Sequence, residues 1–198
     1  LTTSSDVRAI RRVLGEAFAP DPLFVWLFPD DATRLDATAA WLGLFAERYL
    51  TRAPIHAIVG DDVAAVALWQ QPGETALPVA SGPPTIGGML AALLGPARSA
   101  ELGDALRAIA SVRPTRRHSY LQFLAVSPEH QGHGMGHRLI MPGMAAADAE
   151  GVGVHLETTS ARNLPFYRSL GFEVSHEVRL EPGGPELWAM WRSPKAEV

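Results

Sequence analysis

The residues best suited to chemistry lie in Gln131-Gly132-His133-Gly134-Met135-Gly136, where three glycines fall within five positions. An apolar run, residues 120–126, precedes them, and a helix-like run, 137–150, follows. Glycines let a backbone approach a ligand without Cβ obstruction, and the first turn of a helix offers unpaired N–H groups and a partial positive charge. Such a loop suits a phosphate, although three glycines before a helix also make a plain tight turn. Spacing separates the phosphate loops from one another. Counted from Gly132, the dinucleotide fingerprint G-x-G-x-x-G wants glycine where His137 stands, and the Walker loop wants a Gly-Lys pair that the chain lacks. What remains is Q-x-x-G-x-G.

Other chemistries find less support. His130, His133 and His137 suggest a metal, but they surround a glycine loop rather than one helical face, and no H-E-x-x-H is present. We therefore expect no metal. With no cysteine there is no disulfide, thiolate metal site or cysteine nucleophile, and the G-x-S-x-G elbow of serine hydrolases is also missing. A net charge of -4 argues against a nucleic-acid surface and suits a cationic amine as substrate. No apolar run is long enough to span a bilayer and no signal-peptide pattern opens the chain, so no membrane partner and a cytoplasmic location are expected. The 198 residues, 47% of them hydrophobic, suit a single domain with a sizeable core. Monomer and homodimer both stay open.

Around the loop, periodicity predicts the elements that must position it. Val7, Ile10, Val13, Leu14 and Phe18 recur at helical spacing after the N-cap chemistry of residues 2–6, until Pro20-Asp21-Pro22 stops the helix. The aromatic stretch 23–28 is core packing or an apolar lid, with Trp26 or Phe28 expected to face a cleft. A second helix is expected over 32–50, then strands over 55–59 and 63–69 joined as a hairpin through Gly60-Asp61-Asp62. Residues 71–114 read as an irregular helical insertion, with helices over 89–94 and 97–109 that either cover the sheet or shape a substrate site. Arg113, Arg116, Arg117 and His118 read as a solvated basic turn, with contact to a CoA phosphate as the lesser alternative. Beyond the loop the order is strand 152–158, helix 161–170, strand 172–178 and strand 187–191. Pro142 interrupts the helix after the loop, favouring either a kink that aims its first turn or a packing role. This order implies an α/β fold with a mixed sheet.

Together, Val126-Ser127-Pro128-Glu129-His130-Gln131-Gly132, Leu156-Glu157-Thr158 and residues 162–172 resemble the GCN5-related N-acetyltransferase (GNAT) superfamily, most of all members similar to puromycin N-acetyltransferase. The match is dense over 121–191 and poor over 71–114, and it departs at Asp21, where the puromycin enzyme has tyrosine, and at 24–28. The resemblance implies a mostly antiparallel sheet with helices on both faces and a splayed parallel pair at the acetyl-CoA site. Leu124, Ala125 and Val126 would pair their backbone with the pantetheine arm. Gln131, Gly132, His133, Gly134, Met135, Gly136 and His137 would hold the pyrophosphate through main-chain N–H groups. Asn163 and Phe166 join this set, although Asn163 is equally suited to capping its own helix.

Acetyl transfer to an amine requires the ammonium to lose a proton and the departing thiolate to gain one. By resemblance Tyr167 is the general acid; the alternative is an aromatic packed on the core. Glu157 is the candidate base, more so if burial raises its pKa; otherwise it is a carboxylate that fixes the following loop. Strand alternation puts Glu157 and His155 on one face, with Leu156 opposite. Glu47 is a weaker alternative. The reading is an acetyl-CoA-dependent N-acetyltransferase acting on a small-molecule amine, with a peptide amine or a non-catalytic acyl-CoA sensor as alternatives.

Overall fold

The structure, a computed structural model, describes residues 7–52, 55–59, 62–73 and 86–195. The expected N-cap segment, residues 2–6, and the Gly60-Asp61 part of the hairpin junction lie outside these residues.

In chain order the elements are α1 (Val7–Phe18), α2 (Pro22–Leu27), α3 (Arg34–Arg52), β1 (Ile55–Val59), β2 (Val63–Gln70), α4 (Ile86–Leu94) and α5 (Pro96–Ser111). Then follow β3 (His118–Val126), α6 (Met135–Ala149), β4 (Gly153–Thr158), α7 (Leu164–Ser169), β5 (Glu173–Arg179) and β6 (Glu186–Arg192). The sheet runs β1-β2-β3-β4-β6-β5, and every neighbouring pair is antiparallel except β3–β4. This is the expected mixed, mostly antiparallel sheet with one parallel pair.

Alternation along β2 explains why both faces carry helices. Val66 and Leu68 enter one core with α1, α2 and α3, while Ala65, Ala67 and Trp69 enter a second core with α6 and α7. A third, smaller core joins Ala105 and Val112 to Leu180, Leu187 and Ala189, seating α5 against the β5–β6 end of the sheet. Helix α6 runs unbroken through Pro142. The neighbouring Gly143 lies so close to Trp69 that a Cβ there would sit 2.2 Å from the indole, so this stretch of α6 serves close packing on β2.

One irregularity in β3 matters for the site. Leu68 pairs with Phe123 but Trp69 pairs with Leu121, leaving Gln122 as an extra, bulged residue. The bulge reverses the alternation, so Leu121 enters the second core and Phe123 packs on the first.

Candidate functional site

The parallel pair opens the site. Strands β3 and β4 are in register only from His118 opposite Gly153 to Tyr120 opposite His155, and β3 continues to Val126 without a partner on that side. The backbone of Leu124, Ala125 and Val126 on the β4 side is therefore left for a ligand to pair with. Their side chains divide by face: Leu124 and Val126 line a cleft, whereas Ala125 is buried in the first core and has only its backbone to offer.

The glycine loop closes the outer end of this cleft, whose volume is about 420 Å³. Gly132 and Gly134 have φ of +79° and +74°, a left-handed conformation that side chains rarely adopt, and Gly134 is the N-cap of α6. No side chain caps that helix, so its first N–H groups keep their capacity for an anion. Gln131 holds the loop's entry by donating from Nε2 to the Val126 carbonyl at 3.1 Å. Gln131, Gly132, Met135, Gly136, Asn163 and Phe166 all border the cleft, and Arg162 adds a cation. His133 and His137 are exposed and do not line it; His133 Nδ1 sits 3.3 Å from the His130 carbonyl. These features fit a CoA pyrophosphate held by main chain.

A second cavity of about 290 Å³ lies deeper, between the splayed strands and the α1–α3 layer. Phe18, Phe24, Trp41, Phe45 and Phe123 form its aromatic wall, with ring centroids 5.2 Å apart for Phe45–Phe123 and 5.5 Å for Trp41–Phe45. Leu106, Ile109 and Arg113 reach it from α5 and the turn that follows, so the insertion both covers the sheet and contributes to the cavity.

Trp26 and Phe28 require correction: neither lines either cavity. Asp21 accepts from the Leu23 amide and caps a genuine helix with Pro22 in its first turn, and the helical turn sets which aromatics face inward. Phe24 reaches the cavity, Phe28 is 3% exposed against Trp41, and Trp26 faces away beneath Arg98, donating to the Pro182 carbonyl at 3.2 Å.

The cavity floor is polar. The Glu157 side chain is 7% exposed, and its Oε1 accepts from His155 Nε2 at 3.0 Å and from Arg113 Nε at 3.3 Å. Arg113 also donates to the Tyr120 hydroxyl at 3.1 Å and lies over that ring, 4.4 Å from its centroid. Burial pushes the Glu157 pKa up, but the His155 hydrogen bond and the Arg113 charge outweigh it and hold the carboxylate below its ordinary value. The condition that would have favoured Glu157 as a base, a raised pKa, is therefore not met. His155 donates a hydrogen bond from Nε2 to the Glu157 carboxylate, and its Nδ1 is buried without a hydrogen-bond partner among the described residues. Glu47 is exposed on α3 and lines neither cavity.

Both cavities share a wall formed by Phe18, Asp21, Leu124, Asn163 and Tyr167. Tyr167 is 8% exposed, and burial, with a contribution from the Asp21 charge, raises its pKa. Asn163 does not cap its helix; its Nδ2 donates to Thr158 Oγ1 at 3.2 Å, tying α7 to the end of β4. Asp21 Oδ1 accepts from Thr159 Oγ1 at 2.6 Å and from the Leu23 amide at 2.9 Å, and burial raises its pKa.

Sequence reasoning missed Asp21, Arg113 and Gln122. Asp21 reads locally as a helix stop and Arg113 as a solvated turn; each becomes part of the site only through tertiary packing. The bulge at Gln122, whose side chain accepts from the Tyr49 hydroxyl at 3.1 Å, leaves no local signal beyond a polar residue in an apolar strand.

Residues 99–174 match the Acetyltransferase (GNAT) domain family. An uncharacterized N-acetyltransferase of Schizosaccharomyces pombe is 32% identical over 80 residues, which is 39% of this chain and 32% of that protein. The matched stretch thus spans about a third of the length of that curated relative. Among solved structures, one described as histone acetyltransferase HPA2 and related acetyltransferase from Corynebacterium glutamicum superposes with a TM-score of 0.69 at 26% identity, covering 100% of this chain and 96% of that one. Arylalkylamine N-acetyltransferase 2 from Aedes aegypti gives 0.66 at 17% identity, covering 98% and 97%, a likeness of fold. These likenesses do not single out the puromycin-type members. Residues 99–174 thus resemble a GNAT acetyltransferase domain, and the chain shares its mixed α/β fold with these structures.

Proposed function

We propose that this protein is an acetyl-CoA-dependent N-acetyltransferase that acetylates the primary amine of a small molecule with an apolar body, by direct transfer with both substrates bound. The observation that carries this reading is the shared wall: a phosphate-suited cleft and an aromatic cavity meet at Tyr167, Asp21 and Leu124. Acetyl-CoA supplies the activated acetyl group as a thioester. The chain's part is to place it. The loop 131–136 holds the pyrophosphate, the free edge of β3 at 124–126 holds the arm, and the carbonyl arrives at the shared wall.

Tyr167 serves as the acid. A phenol is protonated at neutral pH even at its ordinary value, and burial raises that value further, so the proton is present when thiolate leaves. The aromatic cavity favours an acceptor whose body is apolar, because Phe18, Phe24, Trp41, Phe45 and Phe123 form one wall and the polar groups gather at its floor and at the wall shared with the cleft. Glu157 stays in this reading as the carboxylate that, with Arg113 and His155, forms that floor.

The test is a turnover screen with acetyl-CoA against arylalkylamines, aminonucleosides, aminoglycosides, polyamines, amino acids and peptides, reading free CoA thiol. Turnover concentrated among apolar-bodied amines is expected. Turnover confined to peptides would transfer the reading to protein or peptide amines, and CoA binding without any turnover would make the protein a non-catalytic acyl-CoA sensor.

A further inference from the structure

Two carboxylates line the acceptor cavity, Asp21 and Glu157, and their surroundings differ. Glu157 is compensated by Arg113 and bonded by His155 through the same oxygen. Both hydrogen bonds to Asp21 fall on Oδ1, leaving Oδ2 without one among the described residues. No ion pair compensates Asp21 there either; Arg162 acts on it only at longer range. Among the described residues Asp21 is also the single carboxylate on the wall common to both cavities, whereas Glu157 borders the acceptor cavity alone.

An ammonium entering an apolar cavity loses much of its hydration and needs a counter-charge. Glu157 has already spent its charge on Arg113. We propose that Asp21 is the group that binds the acceptor ammonium and takes its proton, with Glu157 a positioning residue that holds Arg113 and the cavity floor. This rests on the acetyl-transfer reading above.

The proton account closes as follows. One N–H bond of the ammonium breaks and its proton moves to Asp21 Oδ2. The freed lone pair forms the N–C bond to the thioester carbonyl. As the C–S bond breaks, Tyr167 gives its proton to the sulfur and regains one from the acetylated nitrogen. Asp21 then releases its proton to solvent, so the cycle yields amide, CoA thiol and one proton. Burial makes Asp21 a stronger base than an exposed aspartate, and the titratable groups facing it are Arg162, before α7, and Tyr167 on α7.

The test compares Asp21→Asn, Asp21→Glu and Glu157→Gln, with 2-phenylethylamine as the acceptor probe. Asparagine keeps the oxygen that caps α2 and accepts from Thr159, so folding is retained while charge and basicity go. Asp21→Asn is expected to lower kcat/KM by about 10²–10⁴-fold with CoA affinity unchanged, as loss of a general base does. The acidic limb of the wild-type kcat/KM profile, above the ordinary aspartate value of 3.8, should persist in Glu157→Gln and return in Asp21→Glu. Glu157→Gln should raise KM more than it lowers kcat. Near-wild-type turnover in Asp21→Asn, or loss of the acidic limb in Glu157→Gln, would overturn the assignment. So would an equal loss of CoA affinity in Asp21→Asn, which would make Asp21 merely structural. Absence of wild-type turnover with every amine class would instead defeat the acetyl-transfer reading itself.

Discussion

Gly134 offers a direct measurement of how the loop holds its ligand. Its φ of +74° and ψ of +6° are left-handed, and nothing lies within 4 Å of the position a Cβ would take. A substitution therefore costs backbone strain rather than a clash in the free protein. For alanine that strain is about 1–2 kcal/mol, more for β-branched valine and less for asparagine, whose short side chain tolerates this region. If CoA needs the same backbone, the strain lowers the fraction of competent loops by about 5–30-fold for alanine, and apparent affinity falls with it. Calorimetric titration of CoA into Gly134→Asn, Gly134→Ala and Gly134→Val should give affinities decreasing in that order, with stability falling in parallel. Valine adds crowding against the pyrophosphate and should lose more affinity than stability. Wild-type affinity in Gly134→Val would refute the main-chain cradle.

Three other perturbations have defined outcomes. Tyr167→Phe should keep CoA affinity and lower kcat by about 10²-fold or more, as loss of an acid does; unchanged turnover in a stopped assay would remove it from the mechanism. Asp148 accepts from Arg192 through two bonds of 2.8 Å, and the Arg192 hydrogen bond holds its pKa below the ordinary value. Its contribution to stability is therefore present above the unfolded carboxylate pKa and lost as pH falls through the lower folded value. Asp148→Ala should cost about 3–5 kcal/mol at neutral pH, because Arg192 is left buried without a partner, and the cost should shrink in acid denaturation curves. Gly143→Ala should destabilise by about 1–3 kcal/mol in a thermal melt, since its Cβ would meet the buried Trp69 ring.

The parts of the fold that were legible in the sequence are those whose signal is local. Helices α1, α3 and α5 carry their stripes or caps in contiguous residues, and the run 120–136 writes strand, loop and helix start in order. Even the sense of the sheet followed from element order together with family resemblance. Element ends moved by a few residues, as with α3 beginning at Arg34 rather than residue 32. What was not legible depended on local conformation flipping a set of side chains. The stretch 23–28, read as core packing or an apolar lid, is a short helix because Asp21 caps it, and Phe24 rather than Trp26 or Phe28 lines the cavity. One bulged residue at Gln122 did the same to β3.

Why the donor is easier to read than the acceptor follows from how each is held. A pyrophosphate is bound by consecutive main-chain N–H groups, so its site must appear as a continuous glycine pattern. An amine is bound by side-chain charge and shape, and the proposed acceptor cavity draws on α1, α2, α3, α5, α7, β3, β4, β6 and the loops between them. No short window of sequence contains such a site. Charge in particular is illegible until its partner is known: Glu157 looked like the available base, and Arg113, 44 positions away, compensates it. Asp21 looked like a helix stop, and the missing counter-charge makes it the candidate base. The difference between the two carboxylates lies in their partners, His155 on the same strand and Arg113 after α5, and the second depends on the packing of α5 against the β5–β6 end of the sheet.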